Sequence, residues 1–198
     1  GGRGASLYHP QNRLNMACDI TSGRTSVCRE SMGGVLKCFI IDAAAADTAW
    51  SVTSGVATED SAWAAGTTTL DYYTYELARG SASFNQEVQA TPANGSVAFV
   101  QTLTFSAPTM TAADNLIFHT LIKNRCSVVV LDNNGNYWLM GLNNGCDVTA
   151  GTFGLGQAPG DLNGYTLTFT AEEQAPAPSV DLATAPTKIC INGIGDCS

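Results

Sequence analysis

The sequence predicts a mainly β fold: a β-sandwich or barrel of antiparallel strands with one flanking α-helix and extended N- and C-terminal arms. Three observations lead there. Apolar residues recur at period two in Val97, Phe99, Leu103 and Phe105, and again in Tyr165, Leu167 and Phe169. Turn dipeptides such as Asn94-Gly95 and Asn134-Gly135 punctuate these runs. One segment, about residues 111–123, combines a capping signal with helical spacing. The resulting organisation is an arm or loop over 1–33, a β domain over 34–173, and a Pro-containing arm over 174–198.

Taken in order, residues 1–33 lack a period and are rich in polar and Gly positions. Gly34–Ile41 is the first strong strand, apolar on both faces toward its end and therefore central in a sheet. Ala43–Gly66 mixes helix-compatible Ala runs with the interruptions Thr53-Ser-Gly55, Thr58 and Gly66. Its Trp50 and Trp63 either cap the core, the default for Trp, or anchor a subunit contact. Thr67–Leu77 is rich in β-formers. Ala82–Ala90 returns with Phe84 and Val88 on one face and Asn85, Glu87 and Gln89 on the other.

Asn94-Gly95 then turns the chain into the long strand to Ser106, whose inward pattern only Gln101 breaks. Thr111-Ala-Ala-Asp114 starts the helix, with Asp114 in its first turn and Lys123 and Arg125 near its end, both favourable to the helix dipole. Ala113, Leu116, Ile117, Thr120 and Leu121 form the stripe expected to face a sheet. Cys126–Leu131 reads as a buried strand, Asp132–Asn136 as a turn, and Tyr137–Met140 as the returning strand. Val148–Pro159 reads as Gly/Thr-rich loop, and Tyr165–Thr170 as a strand. Gln174–Pro186, with its prolines, reads as an extended linker, and Lys188–Ile191 as a short strand in need of an edge.

Composition narrows the function. Only 13 % of residues are charged, and the net charge is −8, which disfavours binding to a nucleic-acid backbone. The charge is uneven. Through Lys37, five basic residues (Arg3, Arg13, Arg24, Arg29, Lys37) outnumber two acidic ones (Asp19, Glu30), giving +3; the remaining four basic and fifteen acidic residues give −11. A basic arm on an acidic body is suited to docking one copy on another, and equally describes a solvated tail. The seven cysteines include no CxxC, and Cys18, Cys28 and Cys38, ten apart, match no metal motif. Cys38 and Cys126 read as buried thiols, while Cys190 and Cys197 can close a short loop in an oxidising compartment. No run of eighteen apolar residues occurs. The stretch Gly1–Ser6 holds no apolar signal core, and Ala5 stands where a myristoylation motif needs Ser or Thr.

Chemistry-bearing patterns are weak throughout. His9 lies in the arm, and His119 lies on the helix without a nucleophile motif. Glu59-Asp60 and Glu172-Glu173 are neighbours that a strand points to opposite faces. Gly151–Gly156 lacks the Lys and helix of a phosphate loop. Asp132–Tyr137 lacks the closing Glu of a calcium loop. The expectation is a protein that is not an enzyme, with no catalytic residue, cofactor or metal.

Several segments together resemble the tail-tube, or major tail, proteins of tailed bacteriophages. They are Cys28-Arg-Glu-Ser-Met-Gly-Gly-Val35, Tyr75-Glu-Leu-Ala-Arg-Gly80, Asn94-Gly95 through Gln101-Thr-Leu-Thr104, Ala113-Asp114, Asn134-Gly135 with Gly141, and Asp161-Leu-Asn-Gly-Tyr-Thr-Leu-Thr-Phe-Thr-Ala-Glu-Glu173. They span most of Cys18–Glu173; the Ala-rich insert after Asp42 and the Cys-containing tail from Ala175 fit the pattern less well. The resemblance implies a structural virion protein whose copies form a ring, usually sixfold. Inner strands of the ring join into a continuous barrel, and rings stack into a tube that conducts DNA without binding it specifically. The implied partners are further copies of the chain and other tail proteins, with assembly in the host cytoplasm and no membrane. Two alternatives carry the same sandwich. One is another virion role, in head–tail joining or capsid decoration. The other is a carbohydrate-binding module using Trp50, Trp63 or Trp138 as a sugar platform.

Overall fold

The strands form where the sequence gives the backbone β-branched and aromatic residues, and their two-faced or one-faced burial follows from which layer they enter. The computed structural model describes residues 23–24, 31–43, 50–59, 73–91, 93 and 95–180. Ser31–Ser198 is one of the chain's two compact units, and the architecture below is that of its described residues. The elements are β1 (Val35–Asp42), β2 (Trp50–Thr53), β3 (Val56–Glu59), β4 (Tyr73–Glu76), β5 (Ala82–Thr91), β6 (Ser96–Pro108), α1 (Ala112–Leu121), β7 (Cys126–Asp132), β8 (Tyr137–Met140), β9 (Asp147–Gly154), β10 (Gly164–Glu173) and β11 (Ser179–Val180).

They build two sheets. The larger runs β2-β3-β11-β8-β7-β1-β4, and the smaller runs β5-β6-β10-β9. All pairings are antiparallel except β3 with β11. The fold is thus a β-sandwich with one helix, and neither sheet closes on itself into a barrel.

The main core lies between the sheets. Val35, Cys38, Ile40, Val128, Val130 and Met140 come from the larger sheet, and Leu103, Phe105, Tyr165, Leu167, Phe169 and Ala171 from the smaller. Phe105 and Phe169 stack at 5.7 Å between centroids. A second cluster, Ile41, Trp50, Ala57, Val129, Leu139 and Val180, occupies the other face of the larger sheet. This explains the nearly continuous apolar run of β7, whose residues Cys126–Leu131 are all buried. Alternate side chains enter different cores, and the one polar member, Ser127, is buried with its hydroxyl donating to the Gly141 carbonyl at 2.7 Å.

The helix begins as its capping signal predicts. The Thr111 hydroxyl accepts from the Asp114 N–H at 3.1 Å and lies 2.7 Å from the Asp114 carboxylate. Its buried face is not the predicted stripe. Leu116 is 69 % and Ile117 50 % exposed, whereas Phe118 is buried. The larger aromatic dominates, seated against Tyr165 at 4.6 Å and Tyr75 at 6.1 Å between centroids. The Tyr165 hydroxyl donates to Asn115 Oδ1 at 2.7 Å and accepts from the Thr111 N–H at 3.2 Å, fixing the helix rotation.

Three further segments depart from the sequence reading. Residues 50–59 form the β2–β3 hairpin, closed by Ser54 (φ 55°) and Gly55 (φ 81°). Two consecutive positive φ values match the right-handed twist of a two-residue turn, so the interruption at Thr53-Ser-Gly55 is the turn itself. Residues 147–154, read as loop, are the edge strand β9. It approaches β10 so closely that a Cβ on Gly151 would sit 2.9 Å from a Leu167 methyl. Ser179–Val180, read as linker, form β11 in the interior of the larger sheet with Val180 buried. That short strand is held by pairing on both sides, to β3 and β8, rather than by its own composition.

Candidate self-association surface

The smaller sheet has one face in the core and one outward, and its residues sort by parity. Inward go Phe84, Leu103, Phe105, Leu167 and Phe169, with Gln101 among them. The sequence pattern predicts this division of β5, β6 and β10. The irregular member, Gln101, is used: it is buried, and its Oε1 accepts from the Gly141 N–H at 3.1 Å.

The outward face is a ladder of hydroxyls. Thr102, Thr104 and Ser106 on β6 stand opposite Thr170, Thr168 and Thr166 on β10. Thr104 and Thr168 are joined at 3.1 Å, Ser106 and Thr166 at 3.0 Å, and Thr149 and Thr170 at 2.9 Å. Cross-strand Thr and Ser pairs of this kind stabilise a sheet while leaving its surface uncharged. None of β5, β6, β9 and β10 contains Lys, Arg or His, while Glu87, Asp147, Glu172 and Glu173 lie on them. Asp147 pairs with Arg125 at 3.5 Å, both exposed. Glu173 points the other way: it is buried and accepts from the N–H groups of Asn143 and Asn144 at 2.9 Å each and from the Asn143 amide at 3.1 Å. It pins the loop after β8 to the end of β10. On the other edge, Gln86 Oε1 accepts from the Ala177 N–H at 2.9 Å and anchors the segment leading to β11.

Both edges of this sheet are long. β5 has ten residues and β9 eight, and neither carries Lys or Pro within the strand; β9 has one bulge, opposite Thr168 and Phe169. Unpaired N–H and C=O groups along such edges are templates for another chain. The β5–β6 hairpin also runs past the core, and its inward-parity stripe continues as Val88 and Val97, which are 61 % and 53 % exposed.

No family model, curated protein or solved structure matches this chain.

The other residues singled out in the sequence fall as follows. Trp50 is buried in the second core cluster, so it offers no sugar platform. Trp138 is half-buried, its indole N–H donating to Asp132 at 3.3 Å. Asp132 organises its turn rather than an ion. Burial pushes its carboxyl up, but the N–H groups of Asn136 and Asn134, the Asn136 amide and the Trp138 indole outweigh this and hold it below the usual range. His119 is exposed on α1 rather than packed. Among the described residues no group of three or more His, Cys, Asp or Glu is placed to share a metal ion. No described helix is long and apolar enough to cross a membrane. His9, Trp63, Asn94, Cys18, Cys28, Cys190, Cys197 and the strand expected at Lys188–Ile191 lie outside the described residues, as do Arg3, Arg13 and Arg29 of the basic arm.

The outward parity of β5, β6 and β10 is legible in the sequence. The contribution of β9, with Thr149 and Thr152, is not, because glycines at 151 and 154 disguise the strand. The bulge at Thr149 also resets the parity, so that Thr149 and Thr152 share the outward face while Val148 packs on the core, and no period-two pattern marks the strand.

Proposed function

We propose that this chain is a self-assembling structural protein of a virion, a subunit of a phage tail tube built from stacked rings. The observation that carries the reading is the smaller sheet: two long edges that no other described strand pairs with, a hydroxyl-lined outward face, and acidic groups without a single cation on its four strands. A surface that conducts DNA must touch a polyanion without holding it. Phosphate binding is driven by Lys and Arg and their counterion release, and these strands supply none. Neutral hydroxyls keep the wall wetted, Glu87 and Glu172 repel the backbone, and the charge of Asp147 is offset by Arg125.

Edge pairing supplies the ring. β5 of one copy beside β9 of the next extends the sheet across the subunit boundary by backbone hydrogen bonds. The exposed Val88 and Val97 at the hairpin tip gain cover from the neighbouring copy. Dimensions agree with the sixfold ring that the resemblance implies. Six four-stranded sheets give about 24 strands. At about 4.8 Å spacing and about 40° tilt, the backbone circle is about 48 Å across, and about 38 Å remains after side chains. Such a bore admits a duplex.

Electron microscopy of the purified full chain at rising concentration tests the proposal. Open-ended hollow tubes are expected from the wild type, and their loss from V88K/V97K, whose added charges sit on exposed positions and leave the fold intact. Wild-type protein that stays monomeric, or forms isolated rings that never stack, contradicts the tail-tube reading; isolated rings favour a head–tail joining role.

A further inference from the structure

We propose that Cys126 and Cys146 form a disulfide that fastens the open edge strand of the smaller sheet to the larger sheet. The two residues face each other in an isolated antiparallel bridge. They exchange both backbone hydrogen bonds, Cys126 N–H to Cys146 O at 3.0 Å and Cys146 N–H to Cys126 O at 2.6 Å. Their sulfurs stand 3.6 Å apart, and both residues are buried. A hydrogen-bonded antiparallel pair has its Cα atoms about 5.5 Å apart, inside the span of about 4.4–6.8 Å that disulfides need. Bringing the sulfurs to bonding distance therefore needs side-chain rotation and no rearrangement of the strands. Cys38 supplies an internal contrast. It is equally buried in the same core, but its cross-strand partners are Tyr75 and Val130, neither of which carries a sulfur.

The position gives the bond a purpose. Cys126 opens β7, in the larger sheet, and Cys146 immediately precedes β9, the edge of the smaller one. The bond closes the chain from 126 to 146 and prevents β9 from peeling away from the sandwich at that end.

The oxidant is a small-molecule or protein disulfide. One protein thiolate attacks a sulfur of that disulfide and expels its first thiol. The second protein thiolate attacks the mixed disulfide and expels the other. One oxidant S–S bond and two protein S–H bonds are lost; one protein S–S bond and two oxidant S–H bonds are gained. In the folded chain the Cys146 thiol is pushed well up by its contact with Cys126 and by burial, so thiolate is scarce there. Exchange accordingly takes place when this end opens in an oxidising environment, after release from the reducing cytoplasm in which the proposed function has the chain assemble, and burial then shields the bond from reduction.

The test is oxidative refolding of the full chain with reduced and oxidised glutathione, followed by alkylation, digestion and mass spectrometry. A peptide pair joined through Cys126 and Cys146 is expected, two hydrogens lighter than its reduced form, with Cys38 alkylated. The oxidised wild type should melt about 5–10 °C above the reduced protein, a difference that C38S retains and C126S/C146S abolishes. Recovery of Cys126 and Cys146 both alkylated, or joined to other cysteines, overturns the proposal. The peptide map of the wild type decides even where the double variant fails to fold.

Discussion

The two sheets of the sandwich share one core and differ in everything else. The larger is buried on both faces along most of β7 and at Ile40 and Ile41 of β1, and its described edge strands, β2 and β4, have four residues each. At β4 the Lys37–Glu76 ion pair at 2.7 Å lies across the last rung. The smaller sheet is buried on one face only, ends in long unblunted edges, and keeps an uncharged or acidic outer surface. Substitution in the first should therefore cost stability, and substitution on the outside of the second should cost assembly. Under the proposed function, the first sheet is the scaffold and the second the surface that associates.

The sharpest break of that contrast is expected in the shared core. Phe105→Ala removes a ring stacked on Phe169 and in tilted contact with Tyr75 and should cost about 3–5 kcal/mol by chemical denaturation. Next is Glu173→Ala. It removes the buried carboxylate that accepts from the N–H groups of Asn143 and Asn144 and should cost about 1.5–3 kcal/mol, as for hydrogen bonds to a charged group, with the loss visible as faster amide exchange in 143–145. Thr111→Ala removes the helix cap and should cost about 1 kcal/mol, measured by the same denaturation. Thr168→Val on the outward face should change stability by about 0.5 kcal/mol or less, and its effect belongs in the assembly assay. The smallest effect is electrostatic. The Asp132 and Asp161 carboxyls are held below their ordinary value of 3.8, Asp132 by hydrogen bonds that outweigh its burial and Asp161 by the N–H groups of Ala158 and Gln157. A depressed folded-state pKa adds stability above the unfolded value and loses it as pH falls through the folded one. Asp132→Asn and Asp161→Asn should therefore lower the neutral plateau slightly and flatten the acid limb of a stability–pH curve, the variant and wild-type curves converging as pH falls below the folded-state values.

How much of this was readable in advance depended on whether a feature is local. Strands β1, β6, β7, β8 and β10 announce themselves because their burial imposes alternation or a nearly continuous apolar run. The β2–β3 hairpin, β9 and β11 do not. Strands β2 and β3 are four residues each, β9 is interrupted by Gly151 and Gly154, and β11 has only two residues, so none is long or regular enough to show a period and long-range pairing makes them strands. The helix was legible through Thr111 and Asp114, but its rotation was not, since Tyr165 and Tyr75 come from elsewhere in the chain to seat Phe118. The candidate surface divides in the same way. Its face follows from parity in Asn85, Glu87, Thr102, Thr104, Thr166 and Thr168. Its edges do not, because only the assembled sheet reveals which strand has nothing beside it.

The central claim, that self-association runs through the edges of the smaller sheet, is tested most directly by amide hydrogen exchange on assembled and dissociated protein. Protection should rise on assembly in β5 and β9 and at the tip around Val88 and Val97, while β2 and β4 exchange as before. Protection gained at β2 and β4 and not at β5 and β9 would contradict it.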